Sequence, residues 1–271
     1  MGRYSSETTR PAEFTLNPHA PLARGLVFAG LGRIKGTTRY HDSSCYGNHG
    51  TLTLMDPPSD WVWDSTLNRW LIACDGSNDY VRTASLPGIG VSGGWTLSAW
   101  IKHTGSSAWA AIAIGDGASY PHGAVLPARL GKVQTYVPNA YRDSGVATPS
   151  GWFHVSLAIA SASAGSLYIN SVPYSSNPTV DAIGGPALSI GRFANLAFYY
   201  DGQVADAIVH NRILSPSEIQ QLADPSNVML SGLILPPRRR WWPVVSGEVP
   251  PATFKAFWAG RRSQVISGGV S

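Results

Sequence analysis

Glutamate is nearly absent from this sequence. Its 271 residues hold four, Glu7, Glu13, Glu218 and Glu248, and none lies between residues 14 and 217. Glycoside hydrolysis calls for two carboxyl groups across the sugar, one giving a proton and one attacking or activating water. Aspartates are the only acids along most of the chain; Asp56, Asp60 and Asp64 stand in a prolyl, tryptophan-rich loop and most others in turn sequences. No G-x-S-x-G elbow precedes a helix, and the seven histidines are scattered, which leaves a serine nucleophile without a recognisable base. The sequence therefore reads as a non-enzyme.

Cysteine is scarce as well. Cys45 and Cys74 are too few for a disulfide framework and lack metal-ligand spacing. They pair only if the fold brings them together; otherwise they read as two buried thiols. No run approaches about 18 apolar residues, and MGRYSSETTRPAEF has no apolar core of the kind an export signal needs. The expectation is a chain that neither spans a membrane nor carries an ordinary signal peptide.

Only 13% of residues are charged, against 44% apolar, with 29 glycines and 20 prolines, a composition that suits a turn-rich globular protein. The formal charge of +4 is unevenly spread. Residues 232–271 hold six cations and one anion, a net of +5, while residues 1–231 sum to −1. A near-neutral body argues against a general nucleic-acid surface.

Between Gly25 and Arg212 short apolar or alternating runs recur, among them GTLTLM, DYVRTA, WTLSAWIKH, KVQTYV, WFHVSLAIA and QVADAIVHN. Turn signals such as DGSND, SGG and TPSG separate them, and this repetition predicts stacked antiparallel sheets. In WFHVSLAIA, Phe153, Val155, Leu157 and Ile159 share one face. In VADAIVHN, Ala205, Ala207 and Val209 share a face while Ile208 opposes them, so that strand is read as covered on both sides. His154 and His210 alternate with apolar strand residues and read as hydrogen-bonded rings. SPSEIQQLA predicts a helix with Ser215 as N-cap, Pro216 first and Glu218 third, closed by Asp224-Pro225; Leu214, Ile219 and Leu222 supply its apolar contacts.

Several segments, taken in order, resemble the laminin-G-like, concanavalin-A-like jelly-roll domain. They include GLVFAGLG, YHDSSCYGNHGTL, CDGSNDYV, TLSAWIK, GWFHVSLAI, LSIGR and YDGQVADAIVHNRILSPSEIQQL, and cover about residues 22–224. The resemblance implies an all-β, two-sheet antiparallel sandwich with one short helix and extended terminal arms. We divide the chain into an arm (1–22), a jelly roll (23–231) and a C-terminal tail (232–271). Glycosidases of this fold present a Glu-x-Asp-x-Glu strand, which this sequence lacks. Where the family commonly has two adjacent acids near the last strand, Ala205 and Asp206 stand here. No cofactor is required; calcium would find oxygens at Asp42, Asp75 and loop carbonyls, although two turn-capping aspartates account for the same letters. His41 and His49 flank the DSSCYGN turn and are read with it as a polar turn. Trp61, Trp63 and Trp70 offer indoles for stacking on sugar faces or for packing.

The PLARGL stretch and the prolyl, arginine-rich exit further resemble versions of this domain in tailed-phage virion proteins. PPRRRWWPVVSG places Arg238, Arg239 and Arg240 beside Trp241 and Trp242; Phe254, Phe257, Trp258, Arg261 and Arg262 follow. Arginine and tryptophan contribute most at protein interfaces, and prolines lower the entropy lost when an extended segment is ordered. The expectation is a non-enzymatic virion protein, made in the host cytoplasm, that decorates the head through a tail docked on capsid proteins or sister copies. The alternative is a glycan-binding module on a phage tail or fibre, or a bacterial surface lectin-like protein, with host glycans as partners. Nucleic acid and membrane are not expected partners.

Overall fold

The computed structural model describes residues 15–32, 38–90, 94–115, 123–137, 140–161, 164–174, 186–193, 198–227 and 232–235. The docking residues expected from Arg238 onward lie outside them. Two antiparallel sheets of eight strands each face one another, as the jelly-roll reading requires.

The first sheet runs in the order β12 (Ala140–Ala147), β11 (Lys132–Val137), β10 (Gly123–Arg129), β9 (Ile112–Gly115), β16 (Ala187–Ile190), β7 (Tyr80–Ser85), β4 (Gly50–Thr53) and β3 (Arg39–Tyr40). The second runs β15 (Val172–Tyr174), β14 (Ala164–Ile169), β13 (Phe153–Ser161), β8 (Trp95–Ala108), β17 (Tyr200–His210), β6 (Arg69–Asp75) and β5 (Trp61–Asp64), with β2 (Leu26–Gly30) paired to β17. Between them lies a core built from the inward positions of both sheets, including Ile112, Val125, Leu188 and Val81 from the first and Ile101, Val155, Leu157 and Val204 from the second. Period-two alternation delivers these side chains to one face of each strand.

Phe153, Val155, Leu157 and Ile159 all join this core. Their neighbours His154, Ser156 and Ala158 are buried too, because the outer face of the second sheet is itself covered. The predicted helix forms there as α2 (Pro216–Leu222), with Ser215 and Glu218 exchanging cap hydrogen bonds. Leu214, Ile219 and Leu222 pack with Leu22, Leu26 and Ile208 in a second apolar cluster. One further helical turn, α1 (Pro57–Asp60), and a 3-10 turn at Pro21–Ala23 add to the expected helix. Replacing Ser215 by alanine removes one half of this cap and is expected to lower stability by about 1 kcal/mol in a denaturant titration.

The strand β17 departs from simple alternation. Its register shifts between Ala205 and Ile208, and Asp206 has φ 46°. Ala205 consequently packs with Trp100 and Leu71 on the outer face, whereas Ala207 and Val209 point into the core. The bulge falls where β17 changes partner, from β6 along Asp201–Val204 to β2 along Ala207–His210. Asp206 accepts a hydrogen bond from Gly32 N at 2.8 Å and forms an ion pair with Arg69. Arg69 also donates from Nε to Leu67 O and from Nη2 to Pro225 O. The pair is buried, at 1% and 4% exposure, so one charged couple fastens the β5–β6 hairpin, the strand bulge and the segment after α2.

A two-stranded ribbon joins β1 (Thr15–Leu16) to β18 (Ile234–Leu235). Leu233 and Ile234, at the start of the stretch assigned to the tail, are buried in the cluster under α2. The two cysteines are unbridged: Cys74 is buried in the core, but Cys45 is exposed, contrary to the reading of two buried thiols. Cys45 stands in the turn after β3, whose backbone is satisfied by its polar neighbours and leaves the thiol facing out.

Candidate functional site

Trp61 is at 4% exposure, its ring stacked 5.7 Å from Tyr40 in the core. It therefore leaves the set of indoles open to a sugar, because the inward face of β5 is closed over by β3. Trp63, two residues further along the same face, projects past that cover and is 47% exposed. It meets its cross-strand partner Trp70 edge to face at 5.6 Å. Of the three tryptophans weighed for stacking on sugars or for packing, Trp61 packs, and Trp63 and Trp70 keep surface that a sugar could reach.

The aspartates weighed as calcium ligands or as turn caps serve turns. Asp42 is 3% exposed, and its carboxylate accepts from Ala29 N, Ser44 N, Asn48 N and the Ser44 hydroxyl at 2.7–2.8 Å. Four donors occupy the lone-pair sites of a carboxylate. Asn48 then reaches Val27 O, fixing the turn to β2, and His49 Nδ1 accepts from Asp42 N. Asp75 accepts from Ser77 N and Asn78 N in a separate turn. Among the described residues no three His, Cys, Asp or Glu side chains are grouped so as to hold a metal ion.

Asp79, whose carboxylate accepts from Asp75 N, is 5% exposed, and burial together with the charge of Asp75 pushes its carboxyl up to about 6. Asp64 caps Thr66 and Leu67 and takes the indole N–H of Trp152 at 2.9 Å. These bonds tie the β5–β6 hairpin down over Leu71, Trp100 and Ala205. Asp56 and Asp60 bond within α1. The loop aspartates weighed as stand-ins for catalytic glutamates are thus engaged in local structure.

The outer face of the first sheet carries arginines and tyrosines that sequence reading passed over. Their inward neighbours Tyr40, Leu52, Val81 and Ile190 contact the core, which turns Arg39, Thr51, Arg82 and Ser189 outward. In the centre Phe193 and Tyr136 meet edge to face at 4.9 Å, and Trp109 stacks on Phe198 at 4.0 Å. Ala113 and Ala124 are buried in the same cluster. Two ends of the face stay more open. At one, the guanidinium of Arg129 lies 3.6 Å over Tyr141; at the other, that of Arg192 lies 4.6 Å over Tyr80. Arg192 and Tyr80 are far apart in sequence, and the order β16-β7 in the sheet brings them together.

Residues 75–220 match the laminin G-type family of the concanavalin A-like lectin/glucanases superfamily, and the chain belongs to that superfamily. No curated protein matches it. Among solved structures, it is similar to Trypanosoma rangeli sialidase in complex with the inhibitor DANA (15% identity, TM-score 0.55, covering 73% of this chain and 32% of that one). It is also similar to domain 4 of a GH43 extracellular arabinanase from Geobacillus stearothermophilus in complex with arabinotriose (17% identity, TM-score 0.56, 73% and 98%). A third likeness is to the binding domain of botulinum neurotoxin serotype D (14% identity, TM-score 0.53, 73% and 50%). The chain spans about a third of the sialidase. At these identities the likeness is one of fold.

Proposed function

We propose that this chain is a non-enzymatic structural protein of a tailed-phage virion, a decoration protein of the head. Its jelly roll is displayed, and its C-terminal arm docks on capsid proteins or sister copies. The observation that carries the reading is the tail itself: six cations, one anion and five large aromatics follow directly on a segment seated in the body. The β1–β18 ribbon supports it, since Thr15 opposes Leu235 in an antiparallel pair that brings the first and last described residues together. Indoles and guanidinium groups gain most when a partner desolvates the first and pairs the second. The protein is made in the host cytoplasm and resides in the particle. The engagement of Asp42, Asp56, Asp64 and Asp75 in turns supports a non-catalytic role.

A second reading, a glycan-binding module on a tail or fibre, draws on the exposed Trp63 with the half-buried Trp70 beside it, and on the likeness to an arabinanase domain solved with arabinotriose. Truncation after Leu235 separates the two. The shortened chain retains the ribbon and both apolar clusters, so its thermal unfolding is expected to stay cooperative while its incorporation into particles is lost. Unchanged incorporation would overturn the docking role.

A further inference from the structure

We infer that the open end of the first sheet's outer face binds a carboxylated polysaccharide. Backbone pairing sets Arg39 opposite Thr51, Thr51 opposite Arg82 and Arg82 opposite Ser189, a single row across β3, β4, β7 and β16. All four side chains leave the sheet on the side away from the core. With neighbouring strands about 4.8 Å apart, the two arginine backbones stand roughly 10 Å apart with a hydroxyl between them.

Arg39 and Thr51 are exposed, Arg82 is half-buried and Ser189, at the inner end of the row, is buried. Arg82 donates from Nη1 to Ser189 Oγ at 3.2 Å, which steadies its guanidinium along the row without neutralising it. Among the described residues neither Arg39 nor Arg82 has a carboxylate partner. The outward positions of the four strands, Arg39, Thr51, Thr53, Tyr80, Arg82, Ser85, Ala187 and Ser189, include no acid.

A guanidinium fork matches a carboxylate in two parallel hydrogen bonds, and the one hydroxyl between two such forks, that of Thr51, suits a hydroxyl group of an intervening sugar. Tyr80 opposes Thr53 one step along the strands, and Arg192 lies over its ring, so the aromatic surface here is occupied by a cation and not offered to a nucleobase. The near-neutral body likewise lacks the extended positive field that a nucleic acid needs. The row lies apart from the Trp63–Trp70 pair and holds whether or not the tail docks.

The test is affinity electrophoresis of the full chain through gels containing polygalacturonate, dextran or single-stranded DNA. Polygalacturonate is expected to retard the protein and dextran to leave it unaffected. Arg39→Gln and Arg82→Gln are each expected to weaken retardation about tenfold, as the loss of a charge-assisted pair implies. Far-UV circular dichroism verifies the fold of each variant. A triple variant of Arg238, Arg239 and Arg240 to glutamine is expected to retain binding, which separates the sheet from the basic tail. No retardation by polygalacturonate, or retardation lost in the tail variant and kept in the sheet variants, would overturn the inference. Equal retention by DNA, abolished by the same two sheet substitutions, would reassign the row to phosphate and overturn the polysaccharide.

Discussion

Asp206→Ala is expected to destabilise the protein by about 3–5 kcal/mol, the usual loss when one partner of a buried ion pair is removed. Asp206 and Arg69 are both almost fully buried, and the carboxylate also accepts from Gly32 N. Truncating it leaves a guanidinium without its counter-ion under the β5–β6 hairpin and an amide without an acceptor beside β2. It also places alanine at φ 46°, a backbone region that aspartate tolerates better. Because a domain is stable by only about 5–15 kcal/mol, the loss is a large share of the whole. Urea unfolding should show a lower midpoint with an unchanged slope, and Arg69→Leu should do the same by leaving the carboxylate unpaired. The double variant should lose less than the two singles summed, since the second substitution removes the charge stranded by the first. A shift under 1 kcal/mol for Asp206→Ala would mean that the pair does not fasten the bulge.

Acid should destabilise the fold well before ordinary carboxylates protonate. Burial depresses His154 to about 3, helped by the nearby Arg69 charge, and depresses His210 to about 4. His154 stands edge-on to Trp100 with Nδ1 unpartnered, and His210 shares Nε2 with Leu22 O while its Nδ1 is likewise unpartnered. The unfolded chain binds a proton at each near pH 6.5, whereas the native state holds both rings neutral. The stability these neutral sites preserve is therefore full above pH 6.5 and is lost as the pH falls toward 4. The slope is about 1.4 kcal/mol per pH unit for each histidine. Asp79 works in the opposite sense: its raised carboxyl takes up a proton in the native state below about 6 and offsets part of the loss. His154→Leu removes one titrating group from an apolar site. Denaturant titrations from pH 7 to 4.5 are expected to show a shallower decline for this variant than for the parent, and parallel curves would contradict the assignment.

What the sequence made legible was the local and the periodic. The α2 cap needed only the spacing of Ser215, Pro216 and Glu218, and it forms as read. The inward set of β13 followed from alternation alone. The β17 alternation did not survive, because a bulge at Asp206 moves Ala205 and Ala207 to opposite faces, and a bulge is set by the change of partner strand. Trp61 and Trp63 have the same parity in WVWD, and their different exposure depends on where β3 covers the sandwich. The arginine row was out of reach for the same reason, since Arg39 and Arg82 meet only through β4. The turn of Asp42 was legible as a capped turn, and the structure supplies every donor that reading asks for.

The proposed role as a particle component is tested most directly by quantitative mass spectrometry of purified virions, with this protein counted against the major shell protein. Recovery in hundreds of copies per particle, falling to background when residues 236–271 are deleted, is the expected result. Its absence from particles assembled in cells that make the full-length chain would contradict the proposal outright.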